Sequence, residues 1–330
     1  MTASTIARNT AAAGGDGAGK KPPRVPRDRT SLWRKLVRDR LLWLCLLPGL
    51  AYFLIFHLGA AFGMVIAFTD YWPGISVAQS NLVGVETFQK MFGDPDFWHA
   101  VVNTVEISLL QLVFYFPVPL GLALLLHSLT STTIKRLVQN VVYLPHFISW
   151  VIVVALFQQI LGGAGVVNGF LADHGLHTVD IIGNPDAFKP LLIAQVIWKD
   201  SGWGTIIFLA ALAQVDDTLY EASAMDGAGP WRRFWHVTLP GIRSVIVLLL
   251  VLRLGEVLSV GFEQLLLQRD AVGPGAGEII DTYVFYKSLG GGGDFPLAAA
   301  AGIFKGVIGA ILVYAANKVA HRLGEQGVYR

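Results

Sequence analysis

The strongest constraint on this chain is that its apolar residues come in runs long enough to cross a bilayer. Residues 41–68 are apolar apart from His57. A helix rises ~1.5 Å per residue and the hydrocarbon core is about 30 Å thick, so about 20 such residues make a span. A secretory signal core is shorter, about 7 to 15 residues, and no polar cleavage region follows soon after, so this run reads as a span. Five more runs follow at 100–126, 138–161 (interrupted by Pro145), 188–215, 245–267 and 297–316. Composition agrees. Of the 330 residues 54% are hydrophobic and 15% charged, with a mean hydropathy of +0.55. A soluble domain carries about a quarter charged residues. The fold predicted is an all-α integral membrane protein with six transmembrane helices.

Charge then orients it. The net charge of +2 says little about partners, but its placement says a great deal. Residues 1–40, the 127–140 loop, the 214–243 loop and the residues after 316 hold eighteen of the 25 Lys and Arg; the three opposite loops hold only Lys90, Arg269 and Lys287. Positive loops stay in the cytosol, so both termini are predicted to be cytoplasmic. The division expected is a basic, largely disordered cytoplasmic tail at 1–40 and a first transmembrane helix with an extracytoplasmic loop at 41–99. A five-helix core follows at 100–318, then a cytoplasmic C-terminal tail at 319–330. Within the tail, Gly14 to Lys20 imitates a phosphate-binding loop. Lys21 stands where a magnesium-binding hydroxyl is needed and Pro22-Pro23 forbids the helix, so it is rejected. The single cysteine, Cys45, lies in an apolar run and forms no intrachain disulfide.

One cytoplasmic loop, at 216–241, is unlike the others. Thr218 and Glu221 have capping-box spacing and predict a helix start. Leu219, Ala222 and Met225 fall on one side of it. Gly227 and Gly229 break it, and Pro230 suits the start of a second helix. There Trp231, Phe234 and Trp235 make an apolar face, flanked by Arg232, Arg233 and His236, and Pro240 ends it. An ordinary loop between spans has no use for three large aromatic residues presented together.

This loop resembles the cytoplasmic signature of permease subunits in binding-protein-dependent ABC importers: E-A-A, three residues, Gly, nine residues, I-x-L-P. Glu221-Ala222-Ser223, Gly227 and Val237-Thr238-Leu239-Pro240 match at that full spacing, with Ser223 replacing an alanine and Val237 an isoleucine. Phe97-Trp98 with Asn103-Thr104 is similar to the opening of the second span in sugar-importer permeases. The stretches 143–150, 280–284 and 316–326 look like the oligo- and polysaccharide branch. The resemblance covers 41–330. It implies a type I importer permease in the bacterial inner membrane that imports a carbohydrate. It also implies a second related permease, two cytosolic ATPase subunits that use ATP and magnesium, and an extracytoplasmic solute-binding protein. Glu221, Ala222, Ser223, Asp226, Gly227, Trp231, Phe234, Leu239 and Pro240 would couple to the ATPase.

The chain itself carries no catalytic constellation, metal-ligand spacing or cofactor motif, and nothing pointing to nucleic acid; lipid is its remaining partner. His127, His146 and His236 are scattered and read as structural or interfacial. Within the spans, however, lie Glu106, Lys199, Asp200, Arg253, Glu256 and Lys305. Each costs about 2.5 to 3.5 kcal/mol against lipid, so they are expected to face protein or a watery passage. Arg253 and Glu256, three apart, are placed to pair. The six form either a substrate path or structural ion pairs. Trp203, Tyr283 and Tyr286 are candidates for stacking on sugar rings or for interfacial anchoring. An ion-coupled secondary transporter is the rival function; it needs buried charges but not the aromatic cytoplasmic loop.

Overall fold

The computed structural model describes residues 40–322 and 324; the basic tail before Arg40, with its phosphate-loop look-alike, and the last residues lie outside that range. Among the described residues all regular structure is helical, apart from one antiparallel bridge between Thr69 and Leu82. The chain divides into a unit ending at Gly59 and one beginning at Ala60.

In the first unit, helix α1 (Arg40–Phe53) runs into a π-turn at Leu54–Gly59, and neither buries any residue. A helix apolar all round is made for lipid or for a neighbouring chain. The exposed His57 ring lies 5.7 and 5.2 Å from the rings of Tyr52 and Phe53.

The second unit opens with α2 (Ala60–Gly63) and α3 (Glu86–Phe92). Next come α4 (Pro95–Leu110), α5 (Pro117–Ser128), α6 (Thr132–Tyr143), α7 (Trp150–Leu161), α8 (Val166–Asp173) and α9 (Pro185–Leu212). The cytoplasmic insert supplies α10 (Asp217–Met225), α11 (Pro230–Arg233) and α12 (Leu239–Gly241). The chain finishes with α13 (Arg243–Gly255), α14 (Phe262–Leu266), α15 (Arg269–Val272), α16 (Pro274–Gly277), α17 (Ile280–Ser288) and α18 (Phe295–Arg322). Four stretches, Arg40–Phe68, Pro95–Ser128, Trp150–Asp173 and Phe295–Arg322, are long and apolar enough to cross a membrane. Two bent pairs, Pro185–Leu212 with Asp217–Met225 and Pro230–Gly241 with Arg243–Gly255, bring the number to six if each counts as one span.

Packing follows small residues at close crossings. A Cβ on Gly202 would lie 2.1 Å from the Val142 carbonyl oxygen, and one on Gly204 would lie 2.9 Å from Pro119. These two glycines let α9 approach α6 and α5, the small-residue packing that membranes favour. Thr205 adds a hydrogen bond to the Pro119 carbonyl at 3.2 Å. Pro117 lacks the N–H for a regular turn, and Phe116 instead donates five residues back to Gln111, widening α4 into a π-turn at Gln111–Tyr115. Buried clusters run along the bundle. Phe97, Tyr283 and Leu297 mark one end, Ile107, Leu192 and Leu265 the middle, and Phe208, Leu212 and Ile242 the cytoplasmic end.

Four sequence expectations need correction. The third span does not begin at 138: α6 is a separate helix that ends before Pro145, and the apolar crossing starts at Trp150. Pro145 can neither donate nor continue the helix, and hydropathy alone merged the two sides. That crossing includes α8, expected as loop, where buried Asn168 holds the chain through the backbone of Gly162 and Val179. The fifth span is broken: α13 stops at Gly255 and α14 restarts after Gly261, whose φ is +50°. Lastly, the expected polar loop 269–296 holds three helices, and Ile280, Thr282 and Tyr283 are buried. Their burial depends on α4, a partner that no local pattern announces.

Candidate functional site

Polar and aromatic chemistry gathers in two places, and the cytoplasmic insert is the more sharply defined. Each of its outer helices joins a span at a bend, α10 to α9 at 70° and α12 to α13 at 61°. The cap is not the expected one. Asp216, not Thr218, caps α10 by accepting from the Thr218 amide at 2.9 Å, which leaves Glu221 exposed in mid-helix. That backbone hydrogen bond holds the Asp216 carboxyl below its ordinary pKa. Asp216 stands two residues ahead of Thr218, and three residues on from it is Leu219 in place of a Glu or Gln, so capping-box spacing does not mark it.

Asp226 closes α10 and Gly227 turns the chain with φ +72°, a conformation that side chains rarely adopt. Pro230 opens α11 as expected, but Pro240 does not end the second arm. Helix continues through a π-segment at Phe234–Thr238 into α12, and the chain bends beyond it at Ile242. Tyr220 Oη ties one arm to the other at Thr238 Oγ1, 3.1 Å away, and Arg233 Nε donates to the carbonyl of Ala228 in the turn between them at 2.8 Å. Ser223 Oγ caps back on Tyr220 O at 2.8 Å. On this braced frame Trp231 and Phe234 lie 5.6 Å apart, and Trp235 meets Phe234 edge-on at 5.2 Å. Trp231 is 73% exposed and Met225 89%. Leu239 is half-buried, while Ala222 and Pro240 are exposed. The insert thus presents an open aromatic face on a frame tied by side-chain hydrogen bonds.

Within the bilayer the six ionisable residues fall into separate groups and do not converge on one site. Glu106 pairs with Lys189 at 2.5 Å. Lys199, 8% exposed, donates to the His146 carbonyl at 2.8 Å beside Asp200, whose carboxylate meets His146 Nδ1 at 2.9 Å. Trp203 stacks on His146 at 4.7 Å. Arg253 does not pair with Glu256. It reaches Gln111 Oε1 and lies 5.6 Å from the Tyr115 ring, while exposed Glu256 lines a small cleft with Ser108 and Arg253. The helix ends between them, so the i, i+3 geometry expected of a continuous span is lost. Lys305 pairs with Asp281 at 2.5 Å. The break in the fifth span is held by Ser108 Oγ, which donates to the Val257 carbonyl, and by Gln264, whose Nε2 donates to Leu192 O at 3.1 Å and to Gln195 at 2.7 Å. Sequence reasoning passed over Asp281, Gln111 and these glutamines because each polar atom takes its meaning from a helix distant in sequence.

Two of the motif stretches, 97–104 and 280–284, meet at the extracytoplasmic end. Asn103 Nδ2 donates to the carbonyls of Gly275 and Glu278 at 2.9 and 3.1 Å, and Thr104 Oγ1 accepts from the Ile280 amide at 3.0 Å. Tyr283 is wholly buried, 5.7 Å from Phe97, and donates to Asp94 at 2.8 Å. Tyr286 is covered by Arg269 at 3.9 Å. Neither tyrosine is an open stacking platform.

Comparison with known proteins agrees with this geometry. Residues 116–323 match the family described as binding-protein-dependent transport system inner membrane component. The polygalacturonan/rhamnogalacturonan transport system permease protein YteP of Bacillus subtilis (strain 168) is 44% identical over 91% of this chain and 94% of its own length. Protein LplB of the same organism is 43% identical over 89% and 92%. A crystal structure of a bacterial ABC transporter involved in import of the acidic polysaccharide alginate superimposes with a TM-score of 0.80 at 38% identity, covering 88% of this chain and 98% of that one. A second, of the bacterial alginate ABC transporter in complex with alginate pentasaccharide-bound periplasmic protein, gives 0.81 at 37%, covering 90% and 99%. This chain is therefore a multi-pass inner-membrane permease of the sugar-import type and belongs to the binding-protein-dependent transport system inner membrane component family.

Proposed function

We propose that this chain forms half of the translocation path of an ATP-driven importer for an oligosaccharide. The sugar is delivered by an extracytoplasmic solute-binding protein. A second, related permease completes the path, and two cytosolic ATPase subunits, which bind ATP and magnesium, drive it. The carrying observation is the insert: a rigid, aromatic, exposed surface joined at both ends to membrane helices. Such a piece converts movement of a docked protein into rotation of the spans to which it is joined. An isolated loop would absorb that movement. The oligosaccharide reading is supported by relatives named for polygalacturonan, rhamnogalacturonan and alginate transport, and the binding protein by the alginate complex.

The test is uptake in membrane vesicles with and without ATP, alongside co-purification of the ATPase. Uptake should require ATP and should survive collapse of the ion gradients. Uptake that follows the ion gradient with no ATPase attached would return the function to a secondary transporter.

A further inference from the structure

The broken fifth span leaves the backbone of 256–261 irregular between α13 and α14. Irregular backbone at membrane depth is tolerated only where protein covers it or where it lines a watery cavity. A cleft of about 440 Å³ lies against this break, between Gly255 and Ser259 on one side and Gly302, Lys305, Gly306 and Gly309 of α18 on the other. That volume falls within the range of about 300 to 1,000 Å³ common for small-molecule sites. The glycines on α18 are not demanded by packing inside the chain. A Cβ built on Gly302 or Gly306 meets no atom within 4 Å, so their missing side chains leave open space.

Among the residues lining this cleft, Lys305 alone is ionisable. It sits ten residues into α18, ~15 Å from that helix's first residue. Asp281 of α17, which does not line the cleft, takes one of its three N–H groups at 2.5 Å. Both side chains are 23% exposed. A cation at this depth is costly, and a neutral sugar would be served as well by an amide or hydroxyl. A carboxylate ligand makes use of the charge, because a charge-assisted hydrogen bond is about twice as strong as a neutral one.

We propose that this cleft is a substrate site selective for acidic oligosaccharides. Lys305 receives a uronate carboxylate, and Asp281, behind it, fixes the direction of the ammonium. The proposal rests on the oligosaccharide-import reading and goes beyond it by assigning the cleft and the residue that senses the ligand's charge.

The test uses the intact importer with its ATPase and binding protein in proteoliposomes. Uptake of tetragalacturonate, of its methyl ester and of neutral galactotetraose is measured for each variant. The acid-to-ester ratio cancels any loss of folded complex, and the shared binding protein cancels its own preference. Wild type should favour the acid. Lys305→Gln combined with Asp281→Asn, a neutral pair able to hydrogen-bond, should lower the ratio about tenfold. Lys305→Arg should keep most of it. An unchanged ratio in the double variant would make Lys305 no more than the counter-ion of Asp281 and overturn the proposal. Wild type carrying galactotetraose but not tetragalacturonate would also overturn it while leaving the import reading intact. With no ATP-dependent uptake of any of the three sugars, both fall.

Discussion

At the cytoplasmic insert Trp231 stands 73% exposed, whereas at the extracytoplasmic end Phe97 and Tyr283 are wholly buried. The two regions use similar residues. Both combine large aromatics, a carboxylate capping a helix start and polar side chains that reach backbone groups. At the extracytoplasmic end the chain consumes these groups itself: Asn103, Thr104 and Tyr283 each find partners about 170 residues or more away. At the insert the ties stay within its own arms and turn and leave the aromatic face unclaimed. The difference separates aromatic residues that hold this subunit together from aromatic residues that it leaves open. Sequence similarity marks both kinds alike, and burial tells them apart.

The comparison breaks most visibly at Gly227. Proline fixes φ near −65°, against the +72° found here, and removes the amide that donates to Ala224 O at 3.0 Å. Gly227→Pro should insert and pair with its partner permease normally, yet lose about tenfold or more in ATPase capture and uptake, a loss of about 1.4 kcal/mol or more in coupling. Pull-down of the ATPase and uptake in one preparation decide it. Wild-type values for both would remove the insert as the coupling element.

Asn103→Ala should do the reverse. It orphans the carbonyls of Gly275 and Glu278, and one such loss costs about 2 kcal/mol. Thermal unfolding of the purified complex should shift down, while ATPase affinity in the surviving complex holds. A fall in affinity without a fall in stability would merge the two regions that burial separates.

A smaller effect is expected at the cap. Asp216→Ala should cost α10 about 1 kcal/mol, seen as faster amide exchange over 217–225 with the spans unaffected. If exchange in α9 rises equally, the insert is not a separate mechanical piece.

Acidification gives the smallest effect. Burial works to raise the Asp94 carboxyl, but hydrogen bonds from Lys287, Tyr283 and the Asp96 amide together hold it below its ordinary value. The stabilisation this provides is fully present above the ordinary carboxylate pKa of about 4 and is lost as pH falls through the lowered folded value. Thermal stability should therefore decline below about pH 4, less steeply in Asp94→Asn. A wild-type acid slope in that variant would assign the loss to other carboxylates.

The sequence by itself laid out the apolar runs and the turn at Gly227, and it predicted which side the insert faces. Apolar run length, the distribution of lysine and arginine, and a glycine–proline pair are local quantities, and each acts physically where it is written. It also marked Asn103-Thr104 and 280–284 as alike to a family without saying why. Only the tertiary structure decided that those two stretches bind each other, that the fifth span breaks at 256–261, and that Arg253 turns to Gln111 instead of Glu256. Those outcomes depend on polar groups satisfied across α4, α9, α13 and α17. Periodicity and hydropathy describe what one helix offers, whereas a buried hydrogen bond exists only where two helices distant in sequence are brought within about 3 Å.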